Sequence, residues 1–270
     1  MSSSTSTSSS PSASRSAYYR QLGPGLFLST EHAQGAWSEH EQHMAPVSGL
    51  LVDALETCSP RADLLMSRVA FDIFGMIPAG EVTVAARVVR PGRTIELLEA
   101  EMTAGSRTLV RATAWRLATS DTSAFAGNDL DAIPGPEDAR PLDLTGTWRG
   151  GFIRSVEARV VGQAVPGSST VWLRTRFDLV EDRPTSPIAR IFSLIDTANG
   201  VATRAHPDDL LFSNTDLTVH LFRRPTGSWL GLRTEVSFGP DGLGLTAAVL
   251  YDVIGPLGRS AQTLTLRAAR

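Results

Sequence analysis

One order of sequence patterns occurs twice in the 270-residue chain, and it constrains the fold more than any other feature. In each half, two strand-like stretches precede one short apolar helix and four strand-like stretches follow it. Turns that contain Gly or Pro separate the strands. The predicted strands of the first half are AYYRQLGPGLFLST, GAWSEHEQH, LLMSRVAFDIFGMI, EVTVAARVVR, TIELLEAEMT and TLVRATAWRLAT, and those of the second half are WRGGFIRSVEARVVG, STVWLRTRFDLV, LLFSNTDLTVHLFRR, SWLGLRTEVSF, LGLTAAVLYDV and AQTLTLRAA. The repetition predicts two similar α+β units in tandem.

Each unit is predicted to contain one apolar helix. In the first unit Pro46 suits the first helical position, and apolar residues then recur at helical spacing through APVSGLLVDALETC. In the second unit the helix opens at Ser186 and Pro187 and runs through IARIFSLIDTANG. Because one helix cannot cover two sheet faces, each unit should wrap a curved antiparallel sheet around its own helix. Side by side, the two units would continue one sheet, which is the double hotdog arrangement.

Composition shifts place the boundaries of these units. Residues 1–16 form a Ser- and Thr-rich tail that is expected to be disordered. The N-terminal hotdog repeat is expected over residues 17–121 and the C-terminal repeat over residues 147–270. Between them, residues 122–146 are rich in Gly, Pro and Asp without a sustained period, and they are predicted to be a linker.

Charge and cysteine content narrow the class of protein. The formal net charge is −3 and no run of basic residues suggests a phosphate-tracking surface, so nucleic acid is not an expected partner. The single cysteine, Cys58, cannot form a disulfide within the chain. No signal peptide and no stretch of about 18 apolar residues is present, which predicts a cytoplasmic protein that does not enter a membrane.

An acid interrupts the end of the second predicted helix, in the stretch FSLIDTANG. At 100° per residue, Asp196 falls on the flank of the apolar face, beside Phe192 and Asn199. The negative end of the helix dipole and partial burial should both raise the pKa of its carboxyl group. Two interpretations follow: Asp196 belongs to a working site, or it is a solvated residue that ends the helix together with Asn199 and Gly200.

The stretches LIDTANG, SNTDLTVHLFRRPTGSWL and YDVIGPLGRSAQTLTLR resemble the C-terminal half of the acyl-CoA thioesterase II family, which is built from fused hotdog repeats. The resemblance covers most of residues 17–270. In that family an Asp on the second helix, a Thr on the next strand and a Gln on the last strand hold the attacking water. The Asp falls on Asp196 and the Gln on Gln262, whereas the Thr position falls on Asn214, beside Thr215 and Asp216.

The resemblance implies hydrolysis of an acyl-CoA to a carboxylic acid and coenzyme A, with no metal or redox cofactor. Asp196 would act on the water, and Thr215 and Asp216 would lie beside the substrate. The thioester carbonyl would face the start of the first helix near Val47, Ser48 and Gly49. The resemblance also implies pairing through exposed sheet faces, as a homodimer or larger homo-oligomer.

The start of the first helix departs from the family. Where the family has paired glycines, HMAPVSG places Met44 and Ala45, and Pro46 has no N–H to offer. These departures support a competing hypothesis, a hotdog protein that binds acyl-CoA without catalysis. In the first repeat the partner of Asp196 is Asp53, which is the reserve candidate for the acid.

Three further patterns leave alternatives open. Asp216 and His220 on one strand face are reminiscent of R-specific enoyl-CoA hydratases, although the Gly-Asp-x-Asn-Pro-x-His setting is absent. In EHEQH, His40 and His43 could ligate a metal or contact the substrate, but the spacing supplies no third ligand. The last pattern is the basic pair Arg223 and Arg224, which could meet the phosphates of coenzyme A or lie solvated at a strand end.

Overall fold

The computed structural model describes residues 16–269, so nearly all of the predicted tail lies outside the described residues. The helices are α1 (Met44–Cys58), α2 (Gly151–Ser155), α3 (Pro187–Ile195) and α4 (Ala198–Val201). The strands are β1 (Ala17–Gly23), β2 (Leu26–Ser29), β3 (Leu64–Ile73), β4 (Glu81–Arg90), β5 (Ile95–Ala104), β6 (Arg107–Ala118), β7 (Arg140–Leu142), β8 (Val156–Val165), β9 (Ser168–Thr175), β10 (Asp178–Val180), β11 (Leu210–Leu211), β12 (Asp216–Leu221), β13 (Leu230–Phe238), β14 (Leu243–Asp252), β15 (Gly255–Thr265) and β16 (Arg267–Ala268). No helix among residues 16–269 is long and apolar enough to cross a membrane.

Fourteen strands form one continuous sheet that passes through both repeats. Their order is β10-β1-β2-β4-β5-β6-β3-β12-β15-β14-β13-β9-β8-β7. The two repeats join where β3 pairs antiparallel with β12, with Val69 opposite Val219. The same succession of strands runs outward from this joint on both sides, which confirms the predicted double hotdog fold.

The helices α1 and α3 pack closely against each other inside the curved sheet. A Cβ atom on Gly49 would come within 2.0 Å of Ser193 Oγ, so the glycine permits the contact. The hydroxyl of Ser48 donates a hydrogen bond of 2.8 Å to the carbonyl oxygen of Phe192. Both contacts join residues near the start of α1 to residues near the end of α3, so these two helix ends lie side by side.

Three local predictions are wrong. The stretch GAWSEHEQH forms isolated bridges and turns, not a strand, and the second strand of the first repeat is Leu26–Ser29. The stretch WRGGFIRSVEARVVG begins with the short helix Gly151–Ser155 before its strand starts. Pro46 is the third residue of α1, since the helix starts at Met44. It still lies in the first turn, where backbone N–H groups lack an intrahelical partner.

The segment predicted to be a linker, residues 122–146, is partly regular structure. It contains β7, which pairs with β8. Its preceding residues cover the outer face of the second repeat: Trp172 Nε1 donates to Pro134 O at 2.8 Å, and Tyr251 Oη donates to Asp131 O at 3.0 Å. Leu130 and Ile133 of the same segment pack against a small second hydrophobic cluster that includes Trp172 and Tyr251. Residues 122–146 therefore do more than link the two repeats: part of the segment packs on one face of the sheet.

Candidate active site

Asp196 caps the C-terminus of α3 and is buried, with 4% of its surface exposed. Asn214, in the segment before β12, donates a hydrogen bond of 2.8 Å from Nδ2 to Asp196 Oδ1. Gln262 on β15 donates one of 2.9 Å from Nε2 to the same oxygen. Within residues 16–269, the other oxygen, Oδ2, receives no protein hydrogen bond. The structure thus brings together the three residues that the sequence singled out.

Burial raises the pKa of Asp196 to about 7, from its ordinary value of 3.8. The hydrogen bonds from Asn214 and Gln262 oppose this shift because they stabilise the carboxylate, but neither side chain carries a charge. The sequence predicts a raised pKa for this carboxyl group, and the structure brings the pKa near neutral pH. A group with such a pKa can take a proton from water and later return it.

A cavity of about 340 Å³ opens beside Asp196. This volume lies within the range of ligand pockets, about 300–1,000 Å³. Asn214 and Thr215 line one side of the cavity, and Asn199 lines it near the end of α3. Apolar side chains from both repeats complete the wall: Ala36, Trp37, Met44, Ile73, Met76, Ile77, Leu144, Trp148, Ile153 and Val201.

His43 precedes α1 and lies in the wall of the same cavity. Its Nδ1 accepts a hydrogen bond of 3.0 Å from the backbone N–H of Ala45, so the imidazole serves as the N-cap of the helix. The same nitrogen lies 3.9 Å from Asp196 Oδ2. Burial lowers the pKa of His43 to about 3, which keeps the ring neutral. Glu41, Gln42 and His43 of EHEQH thus line the cavity beside Asp196.

Several cavity residues carried no clear signal in the sequence. Trp37 and Trp148 form an edge-to-face pair with ring centroids 5.0 Å apart, and Trp148 Nε1 donates to Gly200 O at 2.9 Å. Glu41 also lines the cavity, and burial raises the pKa of its carboxyl group. These residues lie in irregular segments, where no helical or strand period indicates which side chains point inward.

The predicted carbonyl-facing residues do not line the cavity. Ser48 and Gly49 are packed against α3, and Val47 is fully buried in the core. The prediction assumed that the helix starts near Pro46, but it starts two residues earlier, so His43 and Met44 occupy the cavity wall instead. Thr215 does line the cavity, as predicted.

Asp216 is not part of the cavity wall either. Its Oδ1 accepts a hydrogen bond of 2.6 Å from the backbone N–H of Thr263, which ties the start of β12 to β15. His220 on the same strand is exposed, so the two side chains form no hydratase-like pair in the cavity. Arg223 binds the buried carboxylate of Asp252 at 2.6 Å and is not free for a phosphate.

The reserve acid, Asp53, lies near the opposite ends of the helices and forms an ion pair of 2.6 Å with Arg183. It does not line the cavity beside Asp196. The described residues contain no cluster of three or more His, Cys, Asp or Glu side chains that could hold a metal ion. His40 points into solvent with 83% of its side chain exposed.

Two family models match this sequence. The model described as "Acyl-CoA thioesterase N-terminal domain" matches residues 33–117. The one described as "Acyl-CoA thioesterase C-terminal domain" matches residues 136–266. Together they cover most of the chain and both repeats. A comparison of the sequence with curated proteins found no match.

Solved structures with the same fold cover nearly the whole chain. A putative thioesterase II from Thermobifida fusca YX is 16% identical with a TM-score of 0.71, over 93% of this chain and 95% of that one. A conserved protein of unknown function with a hot dog fold from Alicyclobacillus acidocaldarius is 13% identical with a TM-score of 0.73, over 93% and 96%. An acyl-CoA thioesterase II from Mycobacterium marinum is 16% identical with a TM-score of 0.65, over 93% and 94%.

Proposed function

The chain belongs to the acyl-CoA thioesterase II-like family of thioester hydrolases, and on that premise we propose that Asp196 activates the water that attacks the thioester. The observation that carries the proposal is the buried carboxyl group with a pKa of about 7 in the wall of a cavity. One of its oxygens is held by two neutral amides, and the other receives no hydrogen bond from residues 16–269. That second oxygen is available to a water molecule.

Hydrolysis proceeds through one tetrahedral intermediate. Water donates a proton to Asp196 while its oxygen bonds to the thioester carbon, and the carbonyl π electrons move to the oxygen. The oxyanion then collapses and the C–S bond breaks. The thiolate of coenzyme A leaves and takes the proton back from Asp196. The products are a carboxylic acid and coenzyme A, and the carboxyl group of Asp196 returns to its starting state.

Asn214 and Gln262 orient the carboxylate in this scheme. Both donate to Oδ1, which fixes the plane of the carboxyl group and turns Oδ2 to the substrate side. Gln262 Oε1 is buried without a hydrogen-bond partner among the described residues, and it supplies an acceptor for a water proton. An Asn in place of the family's Thr therefore retains a polar contact to the acid.

The test is the release of free thiol from short, medium, long and aromatic acyl-CoAs. We expect the wild-type protein to hydrolyse at least one class, and Asp196→Asn to lower kcat by at least about 10²–10⁴-fold, the range typical of a lost general base. Asp53→Asn is the matched control, since it removes the equivalent acid of the other repeat and should leave kcat unchanged. Circular dichroism of each variant checks that it is folded.

Two results would contradict the proposal. Full turnover by folded Asp196→Asn would remove this carboxylate from the mechanism. Binding of acyl-CoA by the wild-type protein without any thiol release would instead support the hypothesis of a non-catalytic binding protein.

We also propose that the protein works in the cytoplasm and assembles as a homodimer or larger homo-oligomer. The segment before β7 covers the outer sheet face of the second repeat, so the outer face of the first repeat is the one left for pairing. Multi-angle light scattering tests the assembly, and a monomer at working concentration would refute it.

A further inference from the structure

The start of α1 offers few backbone donors to a substrate. Of its first three residues, Ala45 already gives its N–H to His43 Nδ1, and Pro46 has none. Only the N–H of Met44 remains. Stabilisation of an oxyanion in acyl transfer usually relies on two or more donors aimed at the same point. The backbone of this helix therefore provides an incomplete oxyanion site.

The imidazole of His43 has one fixed proton position. Because Nδ1 accepts the N–H of Ala45, the proton of the neutral ring must be on Nε2. The ring also packs on Phe152, with centroids 4.3 Å apart, so its orientation is constrained. No atom of residues 16–269 accepts a hydrogen bond from Nε2, although the side chain lines the cavity.

Taken with the proposed hydrolase function, on which this inference rests, we propose that His43 Nε2–H binds the thioester carbonyl oxygen and stabilises the oxyanion. The opposite ring nitrogen, Nδ1, lies 3.9 Å from Asp196 Oδ2, and both side chains line the same cavity, so the imidazole and the Asp196-bound water would meet one substrate. The side chain replaces a backbone donor that the helix start lacks. His43 transfers no proton: it donates one hydrogen bond, which strengthens as the carbonyl oxygen gains negative charge.

Burial in the cavity wall supports this role. The lowered pKa of His43, about 3, keeps the ring neutral across the working pH range. Its ring packs on the apolar side chain of Phe152, and Asp196 Oδ2 lies 3.9 Å from Nδ1. A neutral imidazole with a single N–H is a directional donor.

The experiment compares two variants that separate the cap from the donor. His43→Ser keeps an N-cap acceptor for Ala45 but has no group that reaches the cavity, whereas His43→Phe keeps a ring but removes both cap and donor. We expect kcat to fall about 10²–10³-fold in both, with a smaller change in KM. Only His43→Phe should have a lowered Tm. His40→Asn, at an exposed position, is the control and should match the wild type.

The outcomes distinguish this inference from the proposed function. If the wild type hydrolyses acyl-CoA, Asp196→Asn does not, and His43→Ser retains full kcat, then His43 is only a helix cap and this inference is overturned. If no wild-type turnover occurs on any acyl-CoA, the proposed function itself fails. Nitrogen-15 NMR of the imidazole provides a readout independent of activity. We expect the Nε2–H form from pH 5 to 8, and an Nδ1–H or charged ring would contradict the inference.

Discussion

The two ends of the α1–α3 pair are built alike but carry different charges. At one end the start of α1 meets the end of α3, and Asp196 is hydrogen-bonded only to neutral amides. At the other end the start of α3 meets the end of α1, and Asp53 forms an ion pair with Arg183. There Ser186 is the N-cap of α3, just as His43 is the N-cap of α1. The hydroxyl of Ser186 donates a hydrogen bond to the carboxylate of Glu56.

Asp53 and Asp196 occupy equivalent positions, but their surroundings give them different pKa values. Burial raises the pKa of both aspartates, but at Asp53 the guanidinium of Arg183 opposes the shift. At Asp196 no cation does, and the pKa reaches about 7. The doubled fold therefore provides two equivalent places for an acid, and deeper burial without a compensating cation brings the pKa of Asp196 near neutral pH.

With both acids kept, the largest effect on activity is expected from a second carboxylate beside Asp196. Asn214→Asp puts one within hydrogen-bond distance, so the two acids should share a proton and titrate as a pair with a raised apparent pKa. We expect the rise of kcat/KM with pH to move at least about one unit alkaline, with about a 5-fold or greater loss at pH 7. Asn128→Asp, in an exposed loop, is the control. Unchanged activity at pH 7 would contradict the electrostatic account.

A second effect of the unpaired acid is expected on stability. The folded protein keeps the proton of Asp196 up to about pH 7, whereas an unfolded carboxyl group loses it near 3.8. The free energy of unfolding therefore falls as the pH rises from about 4 to 7 and stays low above that. Asp196→Asn removes this loss and should raise the free energy of unfolding by on the order of 2–4 kcal/mol at pH 8.

Thermal unfolding at pH 4 and pH 8 checks this stability difference. The variant and the wild type should be alike at pH 4 and differ at pH 8. Asp53→Asn should gain less than Asp196→Asn at pH 8, because the pKa of Asp53 is also raised but the substitution leaves Arg183 without its partner. A gain in Tm from Asp53→Asn as large as that from Asp196→Asn would remove the distinction between the two ends.

The smallest effect is expected from the removal of the guanidinium group of Arg183. Arg183→Ala should lower the free energy of unfolding by up to about 1 kcal/mol, since the side chain is 36% exposed and solvent screens the pair. Hydrolysis should be unchanged, because the pair lies away from the cavity. Urea denaturation and thiol release measure the two quantities. A loss of kcat without a loss of stability would imply that the Asp53 end takes part in catalysis.

Much of the fold could be predicted from the sequence because it depends on repeated periods. The alternation of the four strands after each helix and the apolar face of α3 each confine the chain to one arrangement. The local predictions fail where the sequence has neither a helical nor a strand period. GAWSEHEQH and residues 122–146 are held by hydrogen bonds and tryptophan contacts between residues distant in sequence, which no local pattern records.

The site was predictable to the extent that it depends on side chains placed by regular elements. Asp196 and Gln262 lie on a helix end and a strand, and the resemblance assigned both to one site before the structure brought them together. The helix start was misplaced because Pro46 tolerates any position in the first turn. Consequently the sequence predicts Ser48 and Gly49 beside the substrate, whereas both pack closely against α3.

The most direct test of the account is the pH dependence of kcat/KM for the best acyl-CoA substrate. A base must be deprotonated to take a proton from water, so activity should be low in acid, rise through about pH 7 and then stay level. A rise centred near pH 4, or activity that does not change between pH 5 and 8, would contradict the claim that Asp196 is the base.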